Sequence, residues 1–126
     1  MNCNFILYVK DQAKSRDFYA AALCMAPRLD VPGMTEFELA PGCVLGLMPE
    51  KGIKRLLPEL PDPEKGRGIP RAEVYLSVLD PAASHSKAVA AGARELSPLS
   101  PRDWGDRAAY SLDPDGHVLV FACRII

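Results

Sequence analysis

The chain has 126 residues, of which 48% are hydrophobic and 25% are charged, a balance that favours one globular domain with a hydrophobic core. Fifteen basic and sixteen acidic residues leave a formal net charge of −1, and no run of lysine and arginine supplies the basic surface that binds nucleic acid. The N-terminal stretch lacks the pattern of a signal peptide, and no segment reaches the ~20 apolar residues of a membrane span. We therefore expect a cytoplasmic protein without nucleic-acid or membrane partners.

The first half of the chain predicts a strand, a helix and three more strands. The opening strand is "NFILYVKD", and Asp11 at its end can cap a helix that reaches about Leu23. Three short strand candidates follow, "PRLDV", "TEFEL" and "CVLGLM". The proline-rich stretch after them contains "GIKRLL", which predicts a helical turn.

The second half repeats this order. The strand candidate "EVYLSVLD" matches the first strand at a shift of 69 residues, so that Leu7 aligns with Leu76 and Asp11 with Asp80. Asp80 can cap a helix whose first residue is proline, and Gly92 marks its end. The strand candidates "RELSPL", "RAAYSL" and "HVLVFA" complete the copy. The pattern predicts an α+β fold of two βαβββ modules in a single domain, residues 1–126. Module 1 covers about 1–50, the linker about 51–71 and module 2 about 72–126.

The segments "LYVKD…DFY" and "WGDRAAYSLDPDGHVLVFA" carry a family resemblance. With the repeated module, the chain resembles the vicinal oxygen chelate superfamily, which includes glyoxalase I, bleomycin-resistance proteins and extradiol dioxygenases. The resemblance covers nearly the whole chain. It implies a curved mixed β-sheet with flanking helices, a hollow that holds a small-molecule ligand, and a homodimer.

Strand alternation indicates which side chains face that hollow. Phe5, Leu7 and Val9 share one face of the first strand, and the uniformly apolar character of that face predicts that it packs under a helix. The opposite faces mix hydroxyl, amide and carboxylate groups with apolar ones, which is typical of a small-molecule pocket. The predicted ligand-binding residues are Asn4, Ile6, Tyr8, Met48, Glu73, Tyr75, Ser77, Trp104, Arg107 and Val120.

The resemblance also implies where a divalent metal would bind. Its four ligand positions correspond to Asn4, Gly46, Glu73 and Val120, of which only Glu73 is a good ligand. We therefore expect no metal cofactor, with a divalent metal as the disfavoured alternative. The chain has two histidines, and we expect neither in the pocket, although His117 aligns with Cys43 and leaves open a site formed by those two residues.

Two groups have alternative interpretations. Glu73 at the base of a partly apolar hollow would serve as a catalytic general base, or it would pair with a linker arginine such as Arg71 or orient a ligand amine. Trp104 and Arg107 would contact a planar, anionic ligand, or Arg107 would bridge to Asp103 or Asp106 in a structural loop.

The favoured function is a metal-independent small-molecule-binding protein of the resistance or sequestration type. The alternative is a glyoxalase-like lyase or isomerase, or a dioxygenase, that depends on a metal or uses Glu73 as acid and base. Whether the protein is an enzyme stays open at this point. Its four cysteines form no C-x-x-C motif, and we expect them to be buried, reduced thiols.

Overall fold

A computed structural model describes residues 1–126. The first half contains one helix and four strands, followed by two helical segments in the linker. These elements are β1 (Cys3–Val9), α1 (Gln12–Leu23), β2 (Leu29–Val31), β3 (Met34–Ala40), β4 (Cys43–Pro49), α2 (Glu50–Leu56) and a 3₁₀ turn (Pro63–Gly66). The second half contains β5 (Glu73–Ser77), α3 (Pro81–Ala90), β6 (Arg94–Pro101), β7 (Asp106–Leu112) and β8 (Val118–Arg124). The predicted element order is confirmed, including the helical turn in "GIKRLL".

The strands form two four-stranded mixed sheets with the same topology. The orders are β1-β4-β3-β2 and β5-β8-β7-β6. In each sheet the first strand pairs in parallel with the last strand of its module, and the remaining pairs are antiparallel. This shared topology confirms the α+β fold and the repeat that the sequence predicted.

The aspartates before α1 and α3 act as predicted. Asp11 Oδ1 accepts a hydrogen bond from the backbone N–H of Lys14 at 3.1 Å. Asp80 Oδ1 accepts one from Ala83 at 3.1 Å. Each aspartate satisfies a backbone donor that the first helical turn leaves without a partner, which fixes where the helix begins.

Residue contacts divide the chain into two compact units. One unit is Met1–Ala20 with Cys24–Arg67, and the other is Ala21–Leu23 with Gly68–Ile126. In the first unit Tyr19 and Phe37 are fully buried, and their ring centroids lie 6.5 Å apart. In the second, α3 packs on β7 and β8. No helix has the length and apolar character that crossing a membrane requires.

His85 lies on α3, away from the candidate pocket residues of the sequence, and it is buried rather than exposed. Its Nε2 lies 2.8 Å from Glu95 Oε2 on β6. This contact joins the helix to the edge of its sheet, so His85 has a packing role.

Two predictions about burial are wrong. Phe5 is 48% exposed, although Leu7 and Val9 on the same face of β1 are buried. Alternation assigns the face, but it does not show how far along the strand the covering elements reach. The cysteines are also not buried, since three are exposed and Cys123 is intermediate. None of the four forms a disulfide, and three lie at or just beyond the ends of elements, where less protein covers them.

Candidate functional site

One face of the second sheet, which we call the tyrosine face, collects half-buried aromatic and polar groups around an apolar centre. Tyr75 on β5 is the register partner of Val120 on β8, and Val120 is the partner of Tyr110 on β7. Register partners on neighbouring strands project from the same face, so the two tyrosines flank the valine. The tyrosine face consists of Glu73, Tyr75, Ser77, Asp106, Ala108, Tyr110, Val118, Val120 and Ala122.

The centre of the tyrosine face is apolar and closely packed. Ala108, Val120 and Ala122 are fully buried, and Tyr75 and Tyr110 pack against them together with Val118. The phenol rings therefore form the walls of an apolar bed, with their hydroxyl groups at its edge.

A hydrogen-bonded network borders one end of this face. The Tyr75 hydroxyl donates to Asp106 Oδ2 at 2.6 Å, and Trp104 Nε1 donates to the Tyr75 hydroxyl at 3.0 Å. Arg124 Nη1 donates to the other carboxylate oxygen of Asp106 at 3.2 Å. The hydrogen bond from Tyr75, followed by that from Arg124, holds the pKa of Asp106 below its usual value. Asp106 is thus kept as an anion, and Tyr75 as a protonated donor.

Arg102 borders Tyr110 on the same sheet. Its guanidinium carbon lies 5.1 Å from the centre of the Tyr110 ring, a cation–π distance. The guanidinium also donates to Ser97 Oγ and to the Ala108 carbonyl, both at 2.8 Å. Burial raises the pKa of Tyr110, and the negative charge of Glu73 raises it further, while Arg102 opposes the shift. Glu73 therefore acts electrostatically on the centre of the face.

The structure brings most of the predicted second-module residues together. Glu73, Tyr75, Ser77 and Val120 share the tyrosine face, and Trp104, which is 49% exposed, borders it. Glu73 is exposed and forms no ion pair, so the predicted bridge to Arg71 is absent.

Arg107 is the exception among these residues. It alternates with Asp106 and Ala108 along β7 and therefore projects from the opposite face. It forms none of the predicted bridges to Asp103 or Asp106. Arg102 and Arg124 supply the guanidinium groups instead.

Sequence reasoning missed Tyr110, Asp106, Arg102 and Arg124. For Tyr110 and Asp106 a signal existed, because alternation along "DRAAYSL" places both on the face of β7 that pairs with Val120. For Arg124 the same signal existed, because it alternates with Val120 and Ala122 along β8. For Arg102 no such signal existed, because it lies in the turn between β6 and β7.

The predicted residues of the first module also share a face. The register pairs Asn4 with Val44, Ile6 with Gly46 and Tyr8 with Met48. Ile6 is 38% exposed and Tyr8 is 36% exposed. This face of the first sheet therefore combines apolar and amide groups.

Glu36 on β3, the partner of Gly46, adds a carboxylate beside these residues that the sequence did not indicate. Asn4 Nδ2 donates to Glu36 Oε2 at 3.3 Å, and Arg28 Nε donates to Glu36 Oε1 at 3.0 Å. Both carboxylate oxygens of Glu36 are therefore already hydrogen-bonded.

The residues at the four ligand positions implied by the family do not fit a resident divalent metal. Val120 has no donor atom and is fully buried. Gly46 has no side-chain donor, and a Cβ atom there would lie 3.0 Å from Ile6 Cγ1 and 3.2 Å from Met34 Sδ, so any ligand side chain would have to displace these two neighbours. Asn4 directs its amide nitrogen at a carboxylate. One carboxylate, Glu73, does not make a divalent site.

The turn between β7 and β8 holds a second group of potential metal ligands. Ligand atoms of Asp113, Asp115 and His117 lie within 4.8 Å of one another. Asp113 Oδ1 accepts from the backbone N–H groups of the other two, and Asp113 Oδ2 lies 2.8 Å from His117 Nδ1. These bonds are those of an aspartate that stabilises its own turn. The hydrogen bonds of the turn therefore account for the close approach of these three side chains.

The first unit contains a cavity of about 450 Å³ with charged walls. It lies between α2, the 3₁₀ turn and the end of β1, and it includes Lys10, Glu50, Lys54, Glu64 and Arg67. Arg67 forms ion pairs with Glu50 and Glu64. Lys54 donates to two backbone carbonyls of the linker. These contacts fasten the linker to α2, which gives the charges a structural role.

Comparison with known structures agrees with this fold. A glyoxalase-related enzyme from Fulvimarina pelagi is 22% identical with a TM-score of 0.84, over 98% of this chain and 88% of its own. A glyoxalase/bleomycin resistance protein/dioxygenase family enzyme from Burkholderia phytofirmans PsJN is 13% identical with a TM-score of 0.82, over 97% of both chains. A search of curated proteins gives no match.

The family itself follows from the sequence profile. Residues 4–121, nearly the whole chain, match the model of the glyoxalase/bleomycin resistance protein/dioxygenase superfamily. With the paired βαβββ modules and the agreement in fold, the chain belongs to the glyoxalase/bleomycin resistance protein/dioxygenase superfamily.

Proposed function

We propose that this protein is a metal-independent member of its superfamily that binds a small, partly aromatic or amphipathic molecule, in the manner of a resistance or sequestration protein. The observation that carries the proposal is the tyrosine face. Where the family places a metal ligand on the last strand, this chain has Val120, which is fully buried between two tyrosines. The position contributes to an apolar bed instead of a coordination sphere.

The groups around this bed support an amphipathic ligand. The half-buried rings of Tyr75 and Tyr110 offer apolar surface, and Trp104 exposes about half of its side chain beside them. The Glu73 carboxylate stands on the same face without an ion pair. A molecule with a planar apolar body and a few hydrogen-bonding groups matches this combination.

A thermal-stability screen of metabolites and antibiotics tests the proposal. A compound that binds the folded state alone raises the melting temperature in proportion to the logarithm of its concentration above Kd. We expect hits among amphipathic aromatic compounds, with binding that is unchanged by a chelator. If binding requires an added divalent ion, the proposal is wrong.

Elemental analysis of the purified protein tests the metal-independent part directly. We expect no stoichiometric Ni, Zn, Mn or Fe, and no rise in melting temperature when these ions are added. About one metal ion per chain, lost in a Glu73→Ala variant, would contradict the proposal and favour a metal-dependent lyase or dioxygenase.

Acid–base catalysis by Glu73 without a metal is the second candidate. It is favoured by the position of an exposed, unpaired carboxylate whose charge acts on Tyr110. Incubating the protein with each screening hit and following the compound by mass spectrometry separates binding from turnover. Conversion of the compound that disappears in Glu73→Gln, while binding persists, would establish that the protein is an enzyme that uses Glu73.

A homodimer, which the family resemblance implies, is part of the proposal. Exposed apolar side chains on the first sheet, among them Ile6, Tyr8, Leu29 and Val31, support association. Light scattering during size-exclusion chromatography measures the mass. A monomer at high concentration contradicts the dimer.

A further inference from the structure

Two exposed cysteines lie side by side in the first sheet. Cys3 is the first residue of β1, Cys43 is the first residue of β4, and the two are register partners in this parallel pair. The Cα atoms of register partners on neighbouring strands lie about 4.8 Å apart. That separation lies within the range of about 4.4 to 6.8 Å over which a disulfide joins two residues. The side chains also project from the same face, because register partners do.

The other two cysteines have no such neighbour. Cys24 follows the last residue of α1 and belongs to no strand. Cys123 on β8 is the register partner of Arg107. Register therefore places only Cys3 and Cys43 next to each other.

A backbone hydrogen bond holds the two cysteines close together, and their positions at the strand ends leave their backbone room to adjust. The N–H of Cys3 donates to the carbonyl of Gly42 at 2.8 Å, which holds the two strand ends together. Gly42 has a φ of 77°, a turn conformation that glycine adopts without strain. Both cysteines begin their strands, so small adjustments of their Cβ positions disturb no other ladder pair.

We propose that Cys3 and Cys43 form a reactive cross-strand dithiol that a low-molecular-weight disulfide converts into an intramolecular disulfide. The thiolate of one cysteine attacks the small disulfide, forms a mixed disulfide and releases one small thiol. The thiolate of the other cysteine then attacks the protein sulfur of that mixed disulfide, forms the Cys3–Cys43 bond and releases the second small thiol. The dithiol loses two electrons and two protons, and the small disulfide gains them.

The disulfide would join the two strands that carry the first-module candidate residues, and it would lie on the opposite face of these strands, because Cys3 alternates with Asn4 along β1. It joins β1, which carries Asn4, Ile6 and Tyr8, to β4, which carries Met48. It also closes a loop from residue 3 to residue 43, which restricts the unfolded chain. Oxidation therefore raises the melting temperature of the protein.

Peptide mapping identifies the bond, because trypsin separates all four cysteines. Cleavage after lysine and arginine places them in residues 1–10, 17–28, 29–51 and 108–124. The native reduced protein is incubated with oxidised glutathione, and free thiols are then blocked before digestion without reductant. We expect a linked pair of peptides 1–10 and 29–51, no glutathione adduct retained on either cysteine of the pair, and a higher melting temperature.

Matched variants separate this pair from general thiol reactivity. A Cys24→Ser/Cys123→Ser protein should form the same linked peptides, and a Cys43→Ser protein should stop at a glutathione adduct on Cys3. In urea the preference for this pair should disappear, because the strand register that creates it is lost. The proposal is overturned if the native protein retains separate glutathione adducts on Cys3 and Cys43, links either residue to another peptide, or forms the bond between two chains.

Discussion

The phenol hydroxyl of Tyr75 donates a hydrogen bond of 2.6 Å to the carboxylate of Asp106. These residues belong to β5 and β7, which are not neighbours, because β8 lies between them. The bond therefore spans the sheet above β8. It joins the two strands that flank Val120, and it orients the hydroxyl that accepts the indole N–H of Trp104.

Removing that hydroxyl should destabilise the protein. We expect Tyr75→Phe to lower the free energy of unfolding by about 1 kcal/mol, because it removes two side-chain hydrogen bonds from a half-buried site. Urea denaturation measures the change. Tyr110→Phe is the matched control, since Tyr110 packs on the same bed but its hydroxyl makes no side-chain hydrogen bond. Equal losses in the two variants would show that the network adds no stability.

The network should also make stability depend on acid pH. The pKa of Asp106 is lower in the folded state, chiefly because Tyr75 donates to its carboxylate. A carboxyl with a lowered folded pKa stabilises the fold above its unfolded pKa of about 4, and this contribution disappears as the pH falls through the folded value. Urea midpoints measured from neutral pH into this acid range should fall less steeply for Asp106→Asn than for the wild type. Parallel curves would contradict the prediction.

Glu73 should influence the ionisation of Tyr110 but not that of Tyr75. Burial is the first cause of the raised pKa of Tyr110, and the negative charge of Glu73 is the second. The pKa of Tyr75 is raised by burial first, then by Asp106 and Tyr110, while the hydrogen bond from Trp104 lowers it, and Glu73 does not contribute. We expect Glu73→Gln to lower the pKa of Tyr110 and to leave that of Tyr75 unchanged, as followed by NMR of ¹³C-labelled tyrosine. An unchanged Tyr110 would place Glu73 too far away to act on this face.

A carboxylate at position 120 should be poorly tolerated. Val120→Glu places a charge at a fully buried position in an apolar cluster, so we expect a loss of about 3 kcal/mol or more in the free energy of unfolding. Val118→Glu is the control on the same face, because Val118 is only partly buried. Thermal denaturation compares the two variants. A stable Val120→Glu protein that binds a divalent metal would show that the family's metal site remains usable here.

Trp104 should contribute to ligand binding. It is 49% exposed beside the tyrosine face, whereas Phe5, with 48% exposure, lies on the other module. We expect Trp104→Ala to weaken the binding of a screening hit by about tenfold or more, as measured by calorimetry, because a stacked aromatic side chain is lost. Phe5→Ala, which removes a similar exposed area, should leave Kd nearly unchanged. A larger loss of affinity in Phe5→Ala than in Trp104→Ala would show that the ligand binds to the first sheet.

The sequence by itself determined the elements and their faces. Asp11 and Asp80, which align at a shift of 69 residues, are each recognisable as a helix cap from the residues around them. Capping and alternation depend on neighbouring residues alone. The same local rules placed Glu73 and Tyr75 on one face of β5, and Val118 and Val120 on one face of β8. They did so because side-chain direction along a strand repeats every two residues, whatever the rest of the fold does.

The tertiary structure decided what covers each face and which distant groups meet there. Phe5 has the alternation of a core residue, yet it is exposed, because burial depends on elements remote in the chain. Arg102 reaches Tyr110 through the turn in which its N–H donates to the Asp106 carbonyl at 2.7 Å, whereas alternation directs Arg107 away. Strand register, which brings Cys3 beside Cys43, is likewise a long-range property. It is set by the pairing of β1 with β4, and no local pattern around either cysteine encodes it.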